Sequence, residues 1–115
     1  MKGKRPLWVM IAGPYGSGAK TPEEKKANLA KLNQTALAVF RKGYIPVVGV
    51  NNALPLIDVA GEDSFNSIMM PLSVALTERC DCCLRVGGLS KGADQEVERF
   101  KAESKPVYYA IDQLP

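Results

Sequence analysis

Ser90 and Glu96 stand six residues apart in the stretch Ser90-Lys91-Gly92-Ala93-Asp94-Gln95-Glu96, where an apolar run gives way to a helical pattern. Free backbone N–H groups and the helix dipole converge on such a beginning, so it welcomes an anion. Ser90 adds a hydroxyl for a phosphate or sugar oxygen, and Gly92 lets the backbone come close to a ligand. Glu96 falls about one turn further on, where the dipole favours the ionised form and a carboxylate nucleophile would be held ready. The same pattern also describes a plain helix start, with Ser90 as its cap and Glu96 as an exposed first-turn acid.

A second stretch, Gly13-Pro14-Tyr15-Gly16-Ser17-Gly18, is rich in glycine but lacks the ordered spacing of a dinucleotide fingerprint or a P-loop. As part of a cleft, Tyr15 would stack on a base or close over a sugar, and Lys20 would approach an anion. As a plain loop, Tyr15 would only cover the edge of a sheet. Asn51, expected at the end of the second strand, is either a ligand contact or a turn residue.

The elements that must position these residues are legible from runs and punctuation. Leu7 to Ala12 is a continuous apolar run ended by Gly13-Pro14, the pattern of a strand buried on both faces. Thr21-Pro22-Glu23-Glu24 supplies an N-cap, a proline at the first helical position and two first-turn acids, and helical spacing continues to Arg41-Lys42 before Gly43. Tyr44 to Val50 reads as a second strand, weakened by Pro46 and Gly49. Asn51 to Asp63 reads as a loop with a helical turn around Leu56 to Ala60. Ser64 to Glu78 suits a second long helix with a kink at Pro71. Cys82 to Val86 is the third strand, a third helix carries Val97, Phe100 and Ala102, and Pro106 to Ile111 is the fourth strand.

Strands alternating with helices predict an α/β domain of three layers: a parallel sheet of about four to five strands with helices on both faces, flavodoxin-like or Rossmann-like. In such sheets ligands bind at the carboxyl ends of the strands, where strand order reverses. The loops after the first and third strands, Gly13 to Thr21 and Gly87 to Gly92, satisfy that rule. An all-parallel sheet with Gly13 and Gly87 at one edge is therefore expected.

Composition bounds the rest. The chain has 115 residues, 46% of them apolar and 23% charged, which fits one globular domain whose small core invites a homo-oligomer, a dimer or tetramer. The formal net charge of +3 lies partly in Lys2, Lys4 and Arg5. Glu23-Glu24-Lys25-Lys26 mixes signs as a solvated helix face does, so no nucleic-acid partner is expected. The three cysteines, Cys80, Cys82 and Cys83, crowd into four residues and histidine is absent, which leaves no ligand set for a closed zinc site within one chain. Buried thiols in a reducing cytoplasm are expected, with no metal, no cofactor, no membrane partner and no signal peptide.

With these residues in view, the sequence resembles a known family. Met10-Ile11-Ala12-Gly13-Pro14-Tyr15 is similar to the opening motif of the nucleoside 2-deoxyribosyltransferases and their relatives. Arg79-Cys80-Asp81, the stretch Ser90-Lys91-Gly92-Ala93 with Glu96, and Lys105-Pro106-Val107 resemble the second half of the same superfamily. The likeness is greatest to its small phage and bacterial uncharacterised branch, which is related to the 5′-monophosphate N-glycosidases. Element order matches over nearly the whole chain, and distinctive motifs cover about a third of it.

The resemblance implies an enzyme that cleaves or exchanges the N-glycosidic bond of a deoxyribonucleoside or its 5′-monophosphate. Glu96 matches the glutamate that attacks the anomeric carbon, and Ser90 falls where the monophosphate-specific relatives carry a phosphate-binding serine. Gly13, Pro14, Tyr15, Asn51, Ser90 and Gly92 are the expected substrate contacts. Asp81 matches an aspartate at the opposite end of the third strand and is expected to be structural. Two positions depart from the family: Met10 stands where a tyrosine is frequent, and Ser67-Ile68-Met69-Met70 occupies the second long helix where an aspartate faces the leaving base. Asp63 or Asn66 could substitute for that acid. The alternative is a nucleotide-binding or sensing domain with a degenerate site; a structural oligomer without ligand is a third reading.

Overall fold

A computed structural model describes residues 5–115; Lys2 and Lys4 of the basic N-terminus lie outside them. Four strands, β1 (Trp8–Ala12), β2 (Ile45–Val47), β3 (Cys82–Arg85) and β4 (Val107–Tyr108), form one all-parallel sheet in the order β2-β1-β3-β4. Four helices flank it: α1 (Pro22–Arg41), α2 (Gly49–Ala60), α3 (Phe65–Arg79) and α4 (Lys91–Ala102). This is a three-layer α/β fold of the Rossmann-like kind, with the strand order of its flavodoxin-like variant.

Alternation along the strands separates two cores. Val9 and Ile11 of β1 join Cys82 and Leu84 of β3 under Leu32 and Val39 of α1. Met10 and Ala12 face the other way with Cys83, against Ala93, Val97 and Phe100 of α4. Every one of these side chains is buried, which explains why both strands read as unbroken apolar runs. The cysteines are free and buried, and burial in this core pushes the Cys80 and Cys83 thiols up to about 12 and the Cys82 thiol to about 11.

The start of α1 follows its sequence signals: the Thr21 hydroxyl accepts from the Glu24 N–H at 3.1 Å, and Gly43 sits beyond the helix end at a φ of 101°. Elsewhere the elements shift. The second strand ends at Val47 instead of Val50, and the expected loop from Asn51 is helix α2. Gly49, Asn51, Asn52 and Pro55 all argue locally against a helix. Packing of α2 along α3 overrides them, with Ala53 and Ile57 buried. Pro71 lies inside α3, which runs on past it to Arg79. The fourth strand is two residues long instead of six, because the chain turns after Tyr108 into a short 3-10 turn, Ile111–Gln113.

Candidate active site

The loops after β1 and β3 meet at the carboxyl edge of the sheet, where the connection from β1 leads to one side and the connection from β3 to the other. Contact there is close enough to require glycine: a Cβ on Gly13 would lie 2.8 Å from the Val86 carbonyl oxygen and 2.8 Å from Leu32. Gly87 has a φ of 78°, and a Cβ on it would meet the Pro14 ring at 2.7 Å. Gly13 and Gly87 therefore lock the two loops side by side, as the parallel β1–β3 pairing requires.

Above this edge opens a cavity of about 1040 Å³ between α3, α4 and the first loop. Gly13, Tyr15, Ser90, Gly92 and Glu96 all line it. Pro14 does not; its ring is spent on Gly87. Asn51 does not either: the early end of β2 puts it in the first turn of α2, where its amide donates to the Asn33 side chain of α1 at 2.6 Å. Lys20 and Asp63 also lie away from the lining, whereas Asn66 belongs to it.

Ser90 is the N-cap of α4. Its hydroxyl accepts from the Ala93 N–H at 3.1 Å and lies 3.2 Å from the Ser17 hydroxyl, which donates to it. The capping role and the cavity-lining position coexist, because a hydroxyl that accepts two bonds retains its own proton for a ligand. Arg85, at the end of β3, fastens the loop to the helix. It donates to the Gly88 carbonyl at 2.8 Å and to the Val86 carbonyl, and its guanidinium pairs with Asp94 at 3.2 Å. Asp94 is thereby committed, although it borders the cavity.

Glu96 is placed otherwise. It comes from the second turn of α4 and points back beneath α3, where burial raises its carboxyl from the usual carboxylate range to about 7. The neighbouring Ser73 hydroxyl, which favours the ionised form, and the charge of Arg85 offset that rise only in part. The backbone of Gly49 at the start of α2 closes over the pair: a Cβ there would lie 3.1 Å from Ser73 Oγ and 3.6 Å from Glu96 Oε2. A carboxyl titrating near neutrality, facing a mostly apolar cavity, is suited to nucleophilic or proton-transfer chemistry.

Sequence reasoning missed Ser73, Gly49 and Arg85. Arg85 left a trace, a charge ending an apolar strand; Ser73, a small polar residue in an apolar helix, left none. The α3 wall consists of Phe65, Asn66, Met69, Met70, Ser73, Val74 and Thr77, so no carboxyl on that helix faces Glu96. Met10, where a tyrosine would stand in the family resembled, is fully buried in the core. At the other end of β3, the Asp81 carboxylate accepts from the Trp8 N–H at 2.7 Å, tying β3 to β1. Among the described residues no group of His, Cys, Asp and Glu could hold a metal ion, and no helix is long and apolar enough to cross a membrane. Comparison with protein-family models and with curated proteins returned no match to the chain.

Proposed function

We propose that the protein cleaves or exchanges the N-glycosidic bond of a deoxyribonucleoside or its 5′-monophosphate, with Glu96 as nucleophile. The observation that carries this reading is a partly buried carboxyl in a cavity wide enough for a nucleotide, close to the N-terminus of α4. A Glu96 oxygen would attack the anomeric carbon as the bond to the base breaks, and the bonding pair would leave with the base. Water or a second base would then resolve the glycosyl ester. Ser90, Ser17 and the free N–H groups of α4 suit a 5′-phosphate, and Tyr15 suits the sugar or base.

Glu96→Gln keeps the shape of the side chain and removes the nucleophile. Base release from a panel of deoxynucleosides and 5′-monophosphates should fall by on the order of a thousandfold, about 4 kcal/mol of barrier, while binding persists. Unchanged release from an active parent would refute the assignment. In the wild type the rate should rise with pH through about 7, since the carboxylate is the attacking form.

One observation favours a second reading, a nucleotide sensor: the α3 wall offers no acid to protonate a departing base. Binding of 5′-monophosphates without base release from the wild type would support it. Exposed Leu56, Val59 and Met70 on α2 and α3 support a homo-oligomer, testable by light scattering. The free buried thiols suit a reducing cytoplasm.

A further inference from the structure

The charged groups that line the cavity all come from α4: Lys91, Asp94, Glu96, Glu98 and Arg99, with Asp94 paired to Arg85 and Arg99 to Glu78, beside the Ser17 and Ser90 hydroxyls. Tyr15 and Phe65 line the cavity as well and form a partition. Behind it lies a smaller cavity of about 250 Å³ that shares both rings. Two carboxylates, Asp58 and Glu62, line that second cavity against one cation, Lys25. Their field reaches the partition: burial, then the charges of Glu62 and Asp58, hold the Tyr15 hydroxyl above its usual range. Tyr15 is thus a poor proton donor, and the neighbouring α3 wall presents asparagine, methionine, serine and threonine side chains that cannot protonate a base at neutral pH.

A neutral purine or pyrimidine leaving as an anion would meet repulsion here and find no acid. A planar cation would meet two aromatic faces, the Met69 thioether, a carboxylate at Glu96 and an acidic field behind. We propose that the base bound at the Tyr15–Phe65 partition is a heteroaromatic cation, a pyridinium or an N-alkylated purinium carried on a 5′-phosphorylated sugar. The inference rests on the glycosidase reading for its chemistry, but its binding preference stands apart from it.

The step balances without a general acid. A Glu96 oxygen bonds to the anomeric carbon, and the electron pair of the breaking C–N bond quenches the positive charge of the ring nitrogen. The base then leaves neutral. Water attacks the glycosyl ester, the sugar takes its hydroxyl, Glu96 is regenerated and one proton passes to solvent. The cation also favours the ionised form of Glu96 until the bond breaks, so substrate binding itself readies the nucleophile.

The test compares matched pairs on the full chain. Base release from the 2′-deoxy form of oxidised nicotinamide mononucleotide and from 7-methyl-dGMP should exceed that from dAMP and dGMP in kcat/KM by on the order of a hundredfold, the scale of an omitted general acid. Equal or faster release from the neutral pair would overturn the inference. Calorimetry on Glu96→Gln should show oxidised nicotinamide mononucleotide binding about tenfold tighter than its neutral reduced form, and Glu62→Gln added to that variant should shrink the ratio. If no substrate of either class releases base, the glycosidase reading fails and the binding ratio alone decides: a tenfold preference sustains the cation site, and equal affinities remove it.

Discussion

The two ends of β3 treat their polar groups in opposite ways. At the amino end two charged side chains are tied to backbone. Asp81 takes the Trp8 N–H, and Lys105 donates to the last carbonyls of α3, Thr77 at 3.1 Å and Glu78 at 3.0 Å, while also pairing with Glu103 at 2.8 Å. At the carboxyl end Arg85 and Asp94 hold one another, but Glu96 is partly buried, with the Ser73 hydroxyl and the charge of Arg85 only in part offsetting its lost hydration. Satisfied groups at one end build the fold, and an under-compensated carboxyl at the other is retained at a cost in stability. That contrast separates structural from functional acids where residue type alone does not.

The largest loss of stability should come from closing the space that lets the functional end exist. Gly13→Ala puts a methyl 2.8 Å from a carbonyl oxygen and from Leu32, so urea unfolding should show a loss of about 3 kcal/mol. A loss below about 0.5 kcal/mol would mean that the two loops are not locked as described.

Lys105→Met should cost about 2 kcal/mol, because two helix-end carbonyls lose a charged donor. The cost should be the same at pH 6 and pH 8, and base release should be unaffected. A change in turnover would break the division between the two ends.

Ser73→Ala should act mainly through Glu96. Losing the one hydroxyl that offsets burial raises the carboxyl further, so the pH midpoint of base release should move up while the maximal rate at high pH is kept. Ser73→Thr, which restores the hydroxyl, should return the midpoint. A midpoint that ignores both changes would show that Ser73 does not govern the carboxylate.

The fold was legible because its signals are local and consistent. The apolar run of β1, the Thr21 and Pro22 start of α1 and the glycine stops at Gly13 and Gly43 agree with one another and with the tertiary structure. Helix α2 was not legible, because Asn51, Asn52 and Pro55 speak for a loop and only contact with α3 reverses them. That error also misplaced Asn51, which as a strand-end residue would border the ligand and as a helix residue reaches Asn33. Glu96 was visible as a candidate from its place after Ser90. Its burial was not, since the residues that cover it, Gly49 and Ser73, come from helices distant in the chain.

The most direct test of the contrast compares the unfolding free energy of wild type and Glu96→Gln between pH 5 and pH 8. A glutamate in an unfolded chain titrates near ~4.3, whereas Glu96 in the fold titrates at about 7. Between those values the folded state holds a proton that the unfolded state has released, so wild-type stability falls as pH rises, by on the order of 3 kcal/mol once pH exceeds about 7. The glutamine variant lacks this titration. The two proteins should be similar in stability near pH 5, with the variant the more stable at pH 8. A variant less stable than wild type by the same small amount at both pH values would make Glu96 an ordinary solvated acid and contradict the account.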